Sequence, residues 1–134
     1  MLTNEEDVLK ALGLLKDRAP TLLCITSGRK GIIALYKSRV LVKQPSFKVE
    51  LRDPTGAGDA YCAGILSALK LSRKPLAELN INELVKVLMF AQASGAVAVT
   101  APGATTAVSN ISVRRLIESQ GKNIIAGTKV TNLY

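Results

Sequence analysis

The chain has 134 residues, 48% hydrophobic, 21% charged and 4% aromatic, which is enough apolar content for one buried core and a single domain spanning residues 1–134. It has no histidine, and its two cysteines, Cys24 and Cys62, lack CxxC spacing; this excludes Ser/His/Asp, Cys/His and HExxH catalysis, a zinc site and a disulfide framework. The net charge of +8 is spread too thinly for a nucleic-acid surface, its densest runs being SRKP and VRRL, and suits attraction of a polyanionic small molecule instead.

NEEDVLKALGLLKDRA sets Val8, Leu9, Leu12 and Leu15 at helical spacing behind Asn4, a good N-cap, with acids in the first turn. The acidic opening differs from a basic, then apolar, signal peptide, and no run of about 18 apolar residues follows. A soluble, cytoplasmic protein with no membrane partner is therefore expected. TLLCITSG, KGIIALYKS and RVLVKQPSF are short β-prone runs; the first reads as a fully buried, central parallel strand, the next two as a hairpin around YKSRV. FKVELRD alternates and leads into a glycine-rich turn. AGDAYCAGILSALKL is small and apolar almost all round, which predicts a central, buried helix. After the polar connector SRKPLAELN, a long apolar helix is predicted over NINELVKVLMFAQASGAVAVT, capped by Asn82 or Asn80. APGATTAVSN reads as a loop and SVRRLIES as a short amphipathic helix. The tail GKNIIAGTKVTNLY adds a strand or lies against a partner. The order of elements predicts a three-layer α/β domain.

DPTGAGDAYCAG carries the chemistry. Without Cβ atoms at Gly56 and Gly58, backbone N–H groups can converge on one point, and the positive end of the following helix aims at the same point. Asp59 in that place repels a bound phosphate, but it suits a reaction in which a hydroxyl loses a proton while negative charge develops on the group it attacks. The alternative is a plain turn in which Asp59 favours the helix dipole, and spacing alone leaves both open. Other phosphate-binding patterns fail: there is no GxxxxGK[ST], and GxGxxG breaks at Tyr61.

DPTGAGDAYCAGIL closely resembles the carboxy-terminal signature of the PfkB/ribokinase family of sugar and nucleoside kinases. ITSGRKGIIAL is similar to that family's nucleotide-side strand and G-x-x-G turn, AQASGAVAVTAPGA to its helix and loop beside the adenine, and NEED to its Asn-x-x-Glu magnesium motif. The resemblance runs from Asn4 to about Ile117. It implies the carboxy-terminal portion of a three-layer ribokinase-like fold and ATP-dependent phosphoryl transfer to a hydroxyl. By it, Asp59 is the catalytic base, and Gly56, Ala57 and Gly58 form the anion hole for the moving γ-phosphoryl. Ser27, Gly28 and Gly31 would meet the nucleotide, with Gln92 near the base. Asn4 and Asp7 would hold Mg²⁺ through water, although Asp7 departs from the family's glutamate by one methylene. Asp53, Ala98, Ala101 and Gly103 match positions that supply oxygens to a monovalent cation such as K⁺ in members that use one. Read without the family, Gly28 and Gly31 serve a tight turn, Gln92 faces solvent, Gly103 is a loop glycine and Asn4 is a helix cap.

Family members run to about twice this length, in keeping with a domain of roughly 250–300 residues. The resemblance places their missing amino-terminal half, with the acceptor-binding residues, upstream of this chain. Two expectations follow: a kinase portion completed by a homo-oligomer or a complementing amino-terminal chain, or a non-catalytic nucleotide-binding or interaction module.

Overall fold

The computed structural model describes Lys10, residues 21–100 and residues 110–133. The predicted first helix, apart from Lys10, and the loop over APGATTAVSN, apart from Asn110, lie outside these residues, as do the site candidates Asn4, Asp7, Ala101 and Gly103. The described elements are β1 (Leu22–Thr26), β2 (Ile32–Tyr36), β3 (Val40–Gln44), α1 (Ala57–Ser72), α2 (Ile81–Ala98), α3 (Asn110–Gly127) and β4 (Lys129–Asn132). They form a mixed α/β arrangement in which one four-stranded sheet, ordered β1-β2-β3-β4, is antiparallel throughout.

The sheet follows from an alternation with a period of two. Ile32, Ala34 and Tyr36 of β2, with Val42 of β3, face the helices and join Tyr61, Leu84, Leu88 and Ala91 in the largest buried cluster. Ile33, Leu35 and Leu41 occupy the other face with Leu23 and Ile25. The predicted hairpin is present: Lys37 and Ser38 take left-handed backbone angles (φ 52° and 56°), and the Arg39 N–H donates to Tyr36 O at 3.1 Å. This mirror-image turn matches the twist of the flanking strands, which is why two non-glycine residues accept positive φ there. β1 differs from expectation. It is half-buried, lies at one end of the sheet and runs antiparallel to β2. Only five residues separate the two strands, far short of the dozen or more that a parallel crossover requires.

α2 is the central helix. The side chain of Asn80 accepts the Glu83 N–H at 2.8 Å, and Glu83 accepts the Asn80 N–H at 3.1 Å, a reciprocal cap that fixes where the helix starts. The Lys74 ammonium, 2.9 Å from Glu83, and that Asn80 N–H hold the Glu83 carboxyl below its usual range. One side of α2 packs on the sheet through Leu84, Leu88 and Ala91. A second side, through Met89, Ala93 and Val97, packs with Phe47 and with Val113 and Ile124 of α3. The third side meets α1 across small residues. The connector between α1 and α2 is pinned by the Tyr36 hydroxyl, which lies 2.7 Å from Leu76 O and 2.9 Å from Leu79 O.

Two helices depart from the sequence reading. α1 is not buried all round: Ala60, Tyr61 and Gly64 are buried, whereas Leu66 and Leu71 are each 69% exposed. Small residues permit close packing but do not require it on every side, and the close packing of α1 is against α2. α3 is longer than SVRRLIES, running eighteen residues to Gly127 before the chain turns into β4 beside β3. The ambiguous tail thus divides between helix and strand. Among the described residues, no helix is long and apolar enough to cross a membrane.

A methyl group on Gly64 would lie 2.8 Å from the Ala91 Cα and 2.9 Å from the Ser94 Oγ. Gly64→Ala should therefore force α1 off α2 and cost about 1–3 kcal/mol, read as a lowered thermal midpoint. An unchanged midpoint would mean that the two helices are not in backbone contact at this point.

Candidate active site

The glycine-rich segment is held from below by the end of α2. The last carbonyls of a helix lack intrahelical donors. Here the Arg52 and Asp53 N–H groups both donate to Val99 O, at 2.7 and 3.1 Å. Asp53 Oδ1 then accepts the Thr55 N–H at 2.9 Å, a short-range turn that redirects the chain. Gly56 sits in the left-handed region at φ 79° and starts α1, with no side chain capping the helix. Its carbonyl accepts the first helical bond, from the Ala60 N–H at 2.9 Å.

Three N–H groups precede that first bond within α1. The Ala57 N–H makes a long contact of 3.3 Å with Pro54 O. Those of Gly58 and Asp59 come before any intrahelical acceptor and stand at the positive end of a sixteen-residue helix. Gly58 faces open space, with nothing within 4 Å of where a Cβ would stand. Asp59, also exposed, lies in this same first turn and makes no ion pair among the described residues. Two outward N–H groups and one carboxylate therefore share an open helix mouth. Such a place can hold an anion and accept a proton beside it.

The second part of the site is the turn from Ser27 to Gly31. Gly28 and Gly31 both have positive φ, 53° and 89°. Ser27 N–H donates to Gly31 O at 2.8 Å, Lys30 N–H to Ser27 O at 3.0 Å and Gly31 N–H to Gly28 O at 3.1 Å, so the loop closes on itself. Gly31 packs directly on β3: a Cβ there would collide with Gln44 O and Pro45. Gln92, 8% exposed, faces the interior and not solvent; its amide donates to Gln44 Oε1 at 2.8 Å and to Pro45 O at 3.0 Å. The structure thus connects Gly31, Pro45 and Gln92 on one side of α2, and Asp53 and Gly56–Asp59 on its carboxy-terminal end. Ala98 is the last residue of that helix.

Sequence reasoning missed Gly95 and Val99. A Cβ on Gly95 would stand 3.2 Å from Ala57 O, so the helix is stripped of a side chain where the start of α1 crosses it. A small Ala-Ser-Gly-Ala run inside an apolar helix was the available signal. The Tyr61 hydroxyl is buried without a hydrogen-bond partner of good geometry and lies beside the Cys24 thiol; burial, then Cys24 and Cys62, raises its pKa, and burial likewise pushes the Cys24 thiol up.

Residues 2–111 match the sequence pattern described as pfkB family carbohydrate kinase. The chain belongs to the pfkB family. The fructokinase of Klebsiella pneumoniae is 37% identical over 108 residues, covering 80% of this chain and 34% of that protein. The cytidine kinase of Thermococcus kodakarensis is 38% identical over 79 residues, 58% of this chain and 28% of the relative. Among solved structures, the fructokinase of Vibrio cholerae O395, determined with fructose, ADP and a potassium or a calcium ion, superposes with a TM-score of 0.72 at 25% identity over 81% of this chain and 34% of its own. The fold is therefore part of a ribokinase-like kinase. This pfkB chain spans about a third of the length of such relatives.

The two glycines of the pfkB loop should respond in opposite directions. Gly56→Ala puts a Cβ into the left-handed region at a cost of about 1–2 kcal/mol. Gly58→Ala, in open space inside the first helical turn, should add about 0.5–1 kcal/mol of stability. Chemical unfolding of both variants checks the pair; equal shifts would contradict the left-handed start of α1.

Proposed function

We propose that the chain supplies the phosphoryl-transfer side of an ATP-dependent kinase acting on a hydroxyl of a sugar or nucleoside, and that it works with a further pfkB segment. The observation that carries this is the helix mouth at Gly56–Asp59, where N–H groups without intrahelical acceptors share one turn with a carboxylate that has no ion pair among the described residues. In such a site the Gly58 and Asp59 N–H groups, with the helix dipole, stabilise negative charge on the γ-phosphoryl oxygens, and Asp59 takes the proton of the attacking hydroxyl. Little more is asked of the protein, because phosphoryl transfer is governed by positioning and electrostatics. The ADP in the related kinase structures supports a nucleotide here, and the turn at Ser27–Gly31 is its candidate seat.

When bound, Mg²⁺ would supply neutralisation of the negative charge that develops on the phosphates. Among the described residues no group of three or more His, Cys, Asp or Glu side chains is gathered to hold a metal, so Mg²⁺ is assigned to Asn4 and Asp7 by family resemblance alone. Asp53 Oδ1 is engaged by the Thr55 N–H, and K⁺ near Asp53 and Ala98 rests on the same resemblance.

Replacing Asp59 with Asn should lower kcat by about 10²–10⁴-fold without weakening ATP binding, because the change removes a negative charge beside the phosphates. The assay uses the chain reconstituted with an amino-terminal pfkB segment and a panel of sugars and nucleosides. Turnover that survives the change would remove Asp59 from the role of base. The second reading is a nucleotide-binding or interaction module without turnover; calorimetric ATP binding with no product on the panel would select it.

The requirement for a partner is supported by the surface. β1 has a neighbour on one edge only among the described residues, and Cys62 and Leu66 of α1 are exposed. An apolar strand edge beside exposed leucine is a surface that isolated domains seldom leave bare. Sedimentation should show concentration-dependent association or capture of the complementing segment, weakened in Leu66→Lys. A stable monomer at high concentration that ignores the segment would overturn the requirement.

A further inference from the structure

Ser46 hydrogen-bonds across from β3's exit to the candidate nucleotide turn. Its hydroxyl donates to Arg29 O at 2.7 Å, in the middle of the turn. The same peptide unit is held on its other side, since the Lys30 N–H donates to Ser27 O. One residue earlier, Pro45 O is held by Gln92 of α2 at 3.0 Å, and Gly31 rests against the Gln44 and Pro45 backbone with no room for a side chain. Gln44 completes the chain by donating to Val85 O at 3.2 Å and to Thr128 Oγ1 at 3.3 Å, so its own position is fixed by α2 and by the residue that links α3 to β4. Each of these side-chain bonds joins residues far apart in the sequence, and together they run from α2 through Pro45 and Ser46 into the turn.

The carboxy-terminal end of α2 holds the loop that carries the proposed base. Gln92 precedes Val99, the acceptor of the Arg52 and Asp53 N–H groups, by seven residues. That is two turns, or about 10 Å of helical rise, and positions two turns apart lie on the same side of a helix. A single rigid element therefore fixes both the loop with the proposed base and, through two hydrogen bonds, the turn on the nucleotide side. The N–H groups of Gly28 and Arg29 make no hydrogen bond with the described residues, and the Ser46 bond orients the peptide next to them.

We propose that Ser46 and Gln92 are positioning residues: they act through Arg29 O and Pro45 O to set the Gly28–Gly31 turn at a fixed distance from the Gly56–Asp59 helix mouth, and neither needs to touch the nucleotide. This rests on the reading of that turn as the nucleotide's seat. It gives Gln92 a different task from contact with the base, because both hydrogens of its amide are already donated within the fold.

The test uses hydrogen exchange together with calorimetric titration of ATP, on the chain itself and on Ser46→Ala, Ser46→Thr and Gln92→Met. Loss of one hydrogen bond of ordinary strength should speed exchange at the Lys30 and Gly31 amides by about 5–10-fold in Ser46→Ala, with α2 amides unchanged. ATP affinity should fall by a similar factor. Ser46→Thr, which keeps the hydroxyl, should restore both. Gln92→Met should reproduce the faster exchange at the turn even if it also lowers the melting temperature. Unchanged exchange at Lys30 and Gly31 in Ser46→Ala, or an equal increase throughout the chain, would overturn the proposal. Exchange that responds as expected in a chain that binds no ATP would instead overturn the nucleotide reading and leave the mechanical tie standing.

Discussion

The close approach of α1 to α2 is the constraint on which the candidate site depends. It exists because side chains are missing where the helices cross: Gly64 lies against Ala91 and Ser94, and Gly95 lies under Ala57 O. At this separation the glycine-rich loop can reach the end of α2 and satisfy Val99 O twice. Larger residues at the crossing would lift α1, lengthen those bonds, and release the loop that gives Gly56 its left-handed start. Packing density and the orientation of a few N–H groups are thus one problem, solved by small residues in both helices.

A second convergence lies at Pro45. Proline ends β3's ladder because it has no N–H to give, and the backbone around it meets Gly31 from one side while its ring meets Gly127 from another. Gln92 takes its carbonyl. The sheet, the end of α3 and the centre of α2 therefore touch at one residue that has almost no conformational freedom. Buried amides are costly unless satisfied, and the Gln44–Gln92 pair meets that requirement by linking separate elements. Hydrophobic contact alone would hold the same elements together with less control over register.

Much of this was legible in the sequence, where local chemistry decides the outcome. The Asn80 cap, the hairpin at Lys37 and Ser38 and the turn into α1 at Gly56 are all short-range features, set by neighbours within a few residues. What was not legible depends on distant parts of the chain. The apolar run of β1 looks the same in a central strand and in one at the end of a sheet, so composition could not reveal its antiparallel place. α1's small residues suggested burial on every side, but smallness reports how close a neighbour can come and not how many neighbours exist. Gln92 was assigned from a family pattern, and its contacts with Gln44 and Pro45 had no sequence signal, since they join residues 48 and 47 positions apart.

The relatives add one inference about what this part of a pfkB kinase encodes. A fructokinase matches the chain at 37% identity over 108 residues and a cytidine kinase at 38% over 79, although their names assign them acceptors as different as a ketose and a nucleoside. A segment that discriminated between those acceptors should resemble one class far more than the other, because a buried polar contact suited to one acceptor penalises the other. On the proposed reading, the Gly56–Asp59 helix mouth serves the phosphoryl transfer that both kinds of acceptor would share.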